Sequence, residues 1–457
     1  MKIRHALGLD GPVAYTFMAR LINILGSTGT VLLIVRFLTP VEQGYYYTLL
    51  SLVSLQLVFE MGFSFVIQQL AAHEWVHLEL HENGTLSGDP GAHARLASTL
   101  QLSLRWYTVA ALAMGLILAP LGELFFSRHA APGAAQVAWQ GPWIAAVAAS
   151  MLGLWCTPFY SFIEGCGQVR AVAAMRLRQA IVLALFAWTA IVLHRGLYAP
   201  SLVIVGQTGT GFLFLIPRLP MLLGLLRRPA REATIRWNRE VWPFQWRIAV
   251  SSMCSYLTVQ VFTPIIFVLR GPAEAGKIGM SISVTVYMTV LALAWTSPKA
   301  TPFGHLIALG QFEKLDRLFL RSLAQSLFIF ALIALGACGV AALLSSRAPS
   351  LAARMVSPQL FAVLVVAAGA NCIVQSLATL LRSFKREPFL IQSLAVAAFT
   401  VMFVMLSSSR WGNGGAALTY LVATSFIGLP IAAIIFARAR QNYLALHALP
   451  MCAEDSA

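Results

Sequence analysis

Apolar runs of about 20 residues, the length a helix needs to cross roughly 30 Å of hydrocarbon, recur about twelve times along this chain. They fall near 13–37, 42–70, 98–126, 138–164, 168–194, 198–226, 244–270, 274–304, 317–345, 356–382, 386–409 and 412–437. In lipid every backbone amide must find its partner within the protein, and runs such as "VLLIVRFL" lack the strict alternation that a membrane barrel strand requires. The chain is therefore expected to be an all-α integral membrane protein with about 12 transmembrane helices. Charge agrees, because only 11% of the residues are Asp, Glu, Lys or Arg, where a soluble domain carries about 25%. The first run follows only Lys2 and Arg4 and has no Ala-x-Ala site, so it reads as a span and not as a removed signal peptide. The six cysteines form no Cys-x-x-Cys pair and read as small packing residues, with neither a disulfide framework nor a zinc knuckle.

With both termini in the cytoplasm, 20 of the 32 Lys and Arg residues fall in cytoplasmic connections, 8 in external ones and 4 within spans. That excess is the orienting signal of multi-span proteins and predicts an even number of spans. The net charge of +15 is spread over many short loops, with no basic domain long enough to dock a duplex, so nucleic acid is excluded as a partner. Anionic headgroups account for it instead. The most basic stretch, "RRPAREATIRWNRE", lies between the sixth and seventh runs. The expected organisation is a six-helix lobe at 1–226, a basic cytoplasmic linker at 227–243, a second six-helix lobe at 244–440 and a cytoplasmic tail at 441–457.

One motif occurs once per half. Pro-x-Glu-x-Gly stands at Pro40, Glu42 and Gly44 and again at Pro272, Glu274 and Gly276, an offset of 272 − 40 = 232 in a chain of 457. Pro and Gly break one helix, and the Glu falls in the first turn of the next, where the helix dipole favours an anion. Repeats separated by an even number of spans share one orientation, which gives two parallel lobes around a central cavity, an architecture that alternating-access transporters use.

The segment "RFLTPVEQGYYYTLLSLVSL", followed by "EMGFSFVIQQ", resembles the first two spans of the polysaccharide biosynthesis flippases of O-antigen (Wzx) type. Those proteins belong to the MATE-like multidrug/oligosaccharidyl-lipid/polysaccharide (MOP) exporter superfamily. Thr39 to Tyr45, Glu60 to Gly62 and Ile67 to Gln68 match the family pattern, as do "EGCGQVRAVAAMR" and "WGNGGAALTYLVA". The seventh run, "VQVFTPIIFVLRG", departs from it by lacking an acidic residue. The resemblance implies movement of an undecaprenyl-pyrophosphate-linked oligosaccharide across the bacterial inner membrane, without ATP hydrolysis and without a cofactor. A polysaccharide polymerase or glycosyltransferases of the same pathway are the partners it suggests, beside membrane lipids.

Ionisable groups inside spans are costly and mark a transport route by default. Arg20, Arg105, Arg218, Arg247 and Lys299 all fall near the cytoplasmic ends of their runs, where a diphosphate entering from that side would meet cations. Snorkelling of long side chains to the headgroups is the bland reading of the same placement. Glu60, the acidic residue well inside a run, is a candidate for ion coupling or for a structural contact. Pro217 and Pro220 flank Arg218 and are candidates for a gating kink, with Pro264, Pro298 and Pro302 in similar positions.

Two enzymatic motifs need weighing. "GPAEAGKI" fits Gly-x4-Gly-Lys, but Ile278 stands where a phosphate loop needs Ser or Thr. "HEWVH" places His73 and His77 four residues apart with Glu74 between them, the pattern of a zinc protease, with His81, Glu82 or His93 as the third ligand. The readings are thus a flippase, a cation-coupled multidrug exporter of the same superfamily, and, at lower weight, a membrane zinc protease. The flippase reading calls for neither metal nor catalytic residue.

Overall fold

The computed structural model describes residues 11–81, 86–129, 137–227, 241–384 and 389–454. Lys2, Arg4, Glu82, residues 228–240 of the expected linker, Lys385 and Arg386 lie outside them. Among the described residues, 11 helical segments are long and apolar enough to cross a membrane, and one bent pair raises the number to 12.

The first half runs through α1 (Gly11–Phe37), α2 (Pro40–Val53), α3 (Gln56–Glu60), α4 (Phe63–Trp75), a hairpin of β1 (Leu78–Leu80) and β2 (Leu86–Gly88), α5 (Pro90–Arg128), α6 (Gln140–Gly165), α7 (Val169–Val192), α8 (Ala199–Leu215) and α9 (Leu219–Arg227). The second continues through α10 (Trp242–Val259), α11 (Phe262–Arg270), α12 (Pro272–Ala292), α13 (Ala300–Ala308), α14 (Phe312–Arg347), α15 (Pro349–Ala352), α16 (Pro358–Arg382), α17 (Leu390–Trp411) and α18 (Asn413–Leu421). A π-helical stretch, Val422–Gly428, leads into α19 (Leu429–Glu454). The chain divides into two compact units, Met1–Met253 and Cys254–Ala457, with the division inside α10.

In lipid, helices associate by close packing more than by expelling water, so small residues sit where backbones approach. Within the first unit α1 lies along α7, and a side chain at Gly26 would meet Ala184 while one at Gly29 would meet Trp188. The half-buried Trp188 indole donates to the Gly26 carbonyl at 3.2 Å. The second unit packs Phe303 of α13, Leu315 and Phe319 of α14, Leu377 and Leu381 of α16 and Ala432 of α19 into one cluster. Leu335 of α14 is instead 74% exposed, and an apolar residue that faces outward suits contact with acyl chains.

One expectation needs correction. The run at 42–70 is not one helix: Met61 (φ 52°) and Gly62 (φ 63°) adopt the left-handed conformation one after the other and bend the segment by 40°. In the run at 198–226 the helix is interrupted where Pro217 stands, because a proline amide cannot donate, and a 3₁₀ turn at Ile216–Arg218 joins α8 to α9. Between α4 and α5, Leu78 pairs with Gly88, Glu79 with Ser87 and Leu80 with Leu86 in an antiparallel hairpin.

Candidate functional site

Both Pro-x-Glu-x-Gly motifs open a helix with proline in its first turn, where the missing amide costs nothing. They are held differently. At α2 the Thr39 amide and hydroxyl donate to the Glu42 carboxylate at 2.8 and 2.9 Å while the Glu42 amide donates back to Thr39 Oγ1 at 3.2 Å, a reciprocal capping box. At α12 the cap position is Gly271, which has no side chain to offer, and the Glu274 carboxylate instead accepts from Lys277 Nζ and from Asn413 Nδ2, each at 2.6 Å.

The five candidate cations occupy different settings. Arg20 lies half-buried on α1, Arg105 is exposed on α5, and Arg247 is exposed on α10 near the Trp246 ring. None of the three has a hydrogen-bonding or ionic partner among the described residues. Arg105 lies 105 − 90 = 15 residues from the start of α5, because that helix begins earlier than the expected span. Arg218 is engaged: its Nε donates to Gln168 Oε1 at 2.7 Å, its Nη1 donates to the Phe214 carbonyl at 2.8 Å, and its guanidinium lies 3.8 Å from the Phe214 ring centre. Lys299 sits in the break between α12 and α13, loosely bonded to Gln325 Oε1 at 3.4 Å and within electrostatic reach of Arg321.

Gln168 was not singled out in the sequence, although it belongs to "EGCGQVRAVAAMR". That segment proves to be a polar corner in which Glu164 pairs with Arg176 at 2.6 Å and Gln168 holds Arg218. A side-chain amide just after a Gly at a helix junction, here Gly167 at φ 76°, is the signal that could have drawn attention to it.

Glu60 is half-buried at the C-terminal end of α3, directly before the left-handed pair. No Lys or Arg among the described residues pairs with it. It lies within electrostatic reach of the Tyr107 hydroxyl, which is buried and makes no hydrogen bond among the described residues. Across the break, a side chain at Gly62 would meet Ile248 of α10, with the Ser252 hydroxyl adjacent. The arrangement sets one acid and several neutral hydroxyls around a stretch of backbone that has left the helix, the form that irregular backbone takes where it lines a polar route.

His73, Glu74 and His77 are not assembled as a metal centre. Helix α4 ends at Trp75, so His77 falls in the turn beyond it and the helical i, i+4 relation fails. His73 points outward at 81% side-chain exposure, while Glu74 is turned inward at 9% and accepts from Arg95 Nε at 2.8 Å. His81 bonds Ser87 of the hairpin at 2.7 Å. Among the described residues no three His, Cys, Asp or Glu side chains are grouped as a metal site. Glu74 is thus a structural anchor, and Arg95→Ala is expected to cost about 1–2 kcal/mol, the price of a partly exposed charged hydrogen bond, measurable as an earlier thermal unfolding transition in detergent.

No protein-family profile matches the chain, and neither does any curated protein. Solved structures do match. An inward-facing multidrug resistance MATE family transporter of the MOP superfamily aligns with a TM-score of 0.58 at 13% identity, over 94% of this chain and 96% of that one. The Vibrio cholerae MATE transporter VcmN in its bent form aligns with a TM-score of 0.58 at 14% identity, over 94% and 98%. A MOP superfamily transporter from Pyrococcus furiosus, whose reversed pocket polarity suggests a different function for that protein, gives 0.54 at 14% identity, over 93% and 96%. The chain therefore has the fold of MATE transporters of the MOP superfamily.

Proposed function

We propose that this protein is a membrane transporter that flips an undecaprenyl-pyrophosphate-linked oligosaccharide, an O-antigen or exopolysaccharide repeat unit, across the bacterial inner membrane. The observation that carries this reading is the set of arginines at Arg20, Arg105 and Arg247 without ionic partners among the described residues. An unpaired guanidinium in or beside lipid is costly unless a ligand or headgroup neutralises it, and its planar fork matches phosphate oxygens. Arg218, pre-oriented by Gln168, would meet the same diphosphate, and Lys299 is a further candidate cation in the second unit. Glu60, beside the broken backbone, would carry the coupling ion or proton, and the turn at Pro217 and Pro220 would serve as a hinge. A multidrug exporter for cationic compounds would want the opposite charge at these positions, which places that reading second.

Complementation tests the proposal. In a strain lacking its own O-antigen flippase, the wild-type chain is expected to restore surface polysaccharide. A His73→Ala/His77→Ala double variant should restore it equally, since His73 is exposed and substitutions at exposed positions change stability by about 0.5 kcal/mol or less. Loss of restoration confined to the histidine variant would raise the protease reading above the flippase reading. Failure of the wild type across hosts with several different glycans would overturn the flippase reading.

A further inference from the structure

Helices α12, α16 and α18 all begin around one cavity of about 600 Å³ at one end of the second unit. A helix N-terminus presents free amides and about half a positive charge, and three converging on one space favour an anion there. The side chains add to this field. Arg270, Lys277 and Arg410 line the cavity against the single carboxylate of Glu274, an excess of 3 − 1 = 2 positive charges.

The cations are arranged for different tasks. Arg270 donates its Nη2 to the carbonyls of Ser409 at 2.7 Å and Arg410 at 3.2 Å, which caps the last turn of α17 and offsets the negative end of that helix. Glu274 accepts one hydrogen bond on each carboxylate oxygen, from Lys277 and from Asn413, and Lys277 keeps two further donors. Arg410 is exposed, and its guanidinium has no hydrogen-bonding or ionic partner among the described residues. Beside it Trp411 is 64% exposed, and an indole next to cations at the end of apolar helices is the usual marker of a headgroup boundary.

We propose that this cavity binds a phosphate group carried by a lipid at the membrane surface, with Arg410 and Lys277 as its ligands and Trp411 against the lipid. The phosphate could come from a bilayer phospholipid or from an isoprenyl diphosphate, and the site stands on its own geometry whichever cargo the protein moves.

The test uses the purified full chain in neutral detergent, with phosphatidylglycerol, farnesyl diphosphate and phosphate-free diacylglycerol as probes, followed by tryptophan fluorescence and thermal shift. Saturable binding of at least one phosphate-bearing probe, and none of diacylglycerol, is expected. The Lys277→Ala/Arg410→Ala variant should weaken it about tenfold or more, each lost charged contact being worth a factor of about ten. Arg347→Ala, which removes an exposed charge at the same end of the unit without lining the cavity, should change it less than twofold. Binding of phosphatidylglycerol alone assigns the site to the bilayer, and binding of farnesyl diphosphate alone assigns it to an isoprenyl ligand. Equal affinity in wild type and double variant, or an equal loss with Arg347→Ala, would overturn the proposal. Should the double variant fail to fold, Arg410→Ala alone carries the test, because its exposed side chain supports no described contact.

Discussion

Arg20→Ala is expected to reduce surface polysaccharide about tenfold or more in the complementation assay, at unchanged membrane abundance, because one charge-assisted hydrogen bond to a diphosphate is worth about 1.5–3 kcal/mol. Arg20 lies 20 − 11 = 9 residues into α1, half-buried and without a partner among the described residues, so its removal leaves no orphaned acceptor and little cause for unfolding. Arg20→Lys keeps the charge but loses the planar fork and should fall between the two. Arg218→Ala is expected to behave differently, since Gln168 and the Phe214 carbonyl lose a donor and the corner at Gly167 loses its tie. Its membrane abundance should drop together with transport. A fully active Arg20→Ala variant would assign that residue to headgroup snorkelling and remove the main support for an anionic cargo.

Gly62→Val is expected to destabilise the first unit by about 2–4 kcal/mol, from a left-handed backbone that a β-branched residue resists and from overpacking. The new side chain would run into Ile248 of α10, whose branched body cannot swing aside as a flexible chain end could. A lower thermal transition in detergent, with less protein in the membrane, is the measurable result. Met61→Gly probes the same feature from the other direction, because Met61 already sits at φ 52° and glycine adopts that conformation without strain. A Gly62→Val protein as stable as wild type would mean that the bend is not maintained in the membrane.

The spans were legible because lipid imposes so long and uniform an apolar signal that helix type follows from length alone. The two helix starts at Pro40 and Pro272 were legible because proline acts locally. Other features were not. The break at Met61 and Gly62 lies in "FEMGFSF", and a lone glycine in an apolar run more often serves helix packing than unwinding. The hairpin after α4 has strands of only three residues, too short for alternation to register against a polar background. Gln168 and Arg218 are 50 residues apart and on different helices, so nothing local announces their contact. His73 and His77 are the opposite case: the spacing fits a zinc helix, but the helix that would align them stops two residues too soon.

The two glutamates at the helix starts also differ in when they can be satisfied. Glu42 finds its partner three residues away in Thr39, so that lock closes as soon as the first turn of α2 has formed. Glu274 reaches Asn413 across 139 residues, which at about 5–20 residues per second is many seconds of synthesis. Until then only Lys277 can hold it. One unit is therefore latched at its start during translation, while the other is fastened by nearly its last hairpin, and a ribosomal pause between α12 and α18 would leave the second latch open for its whole duration.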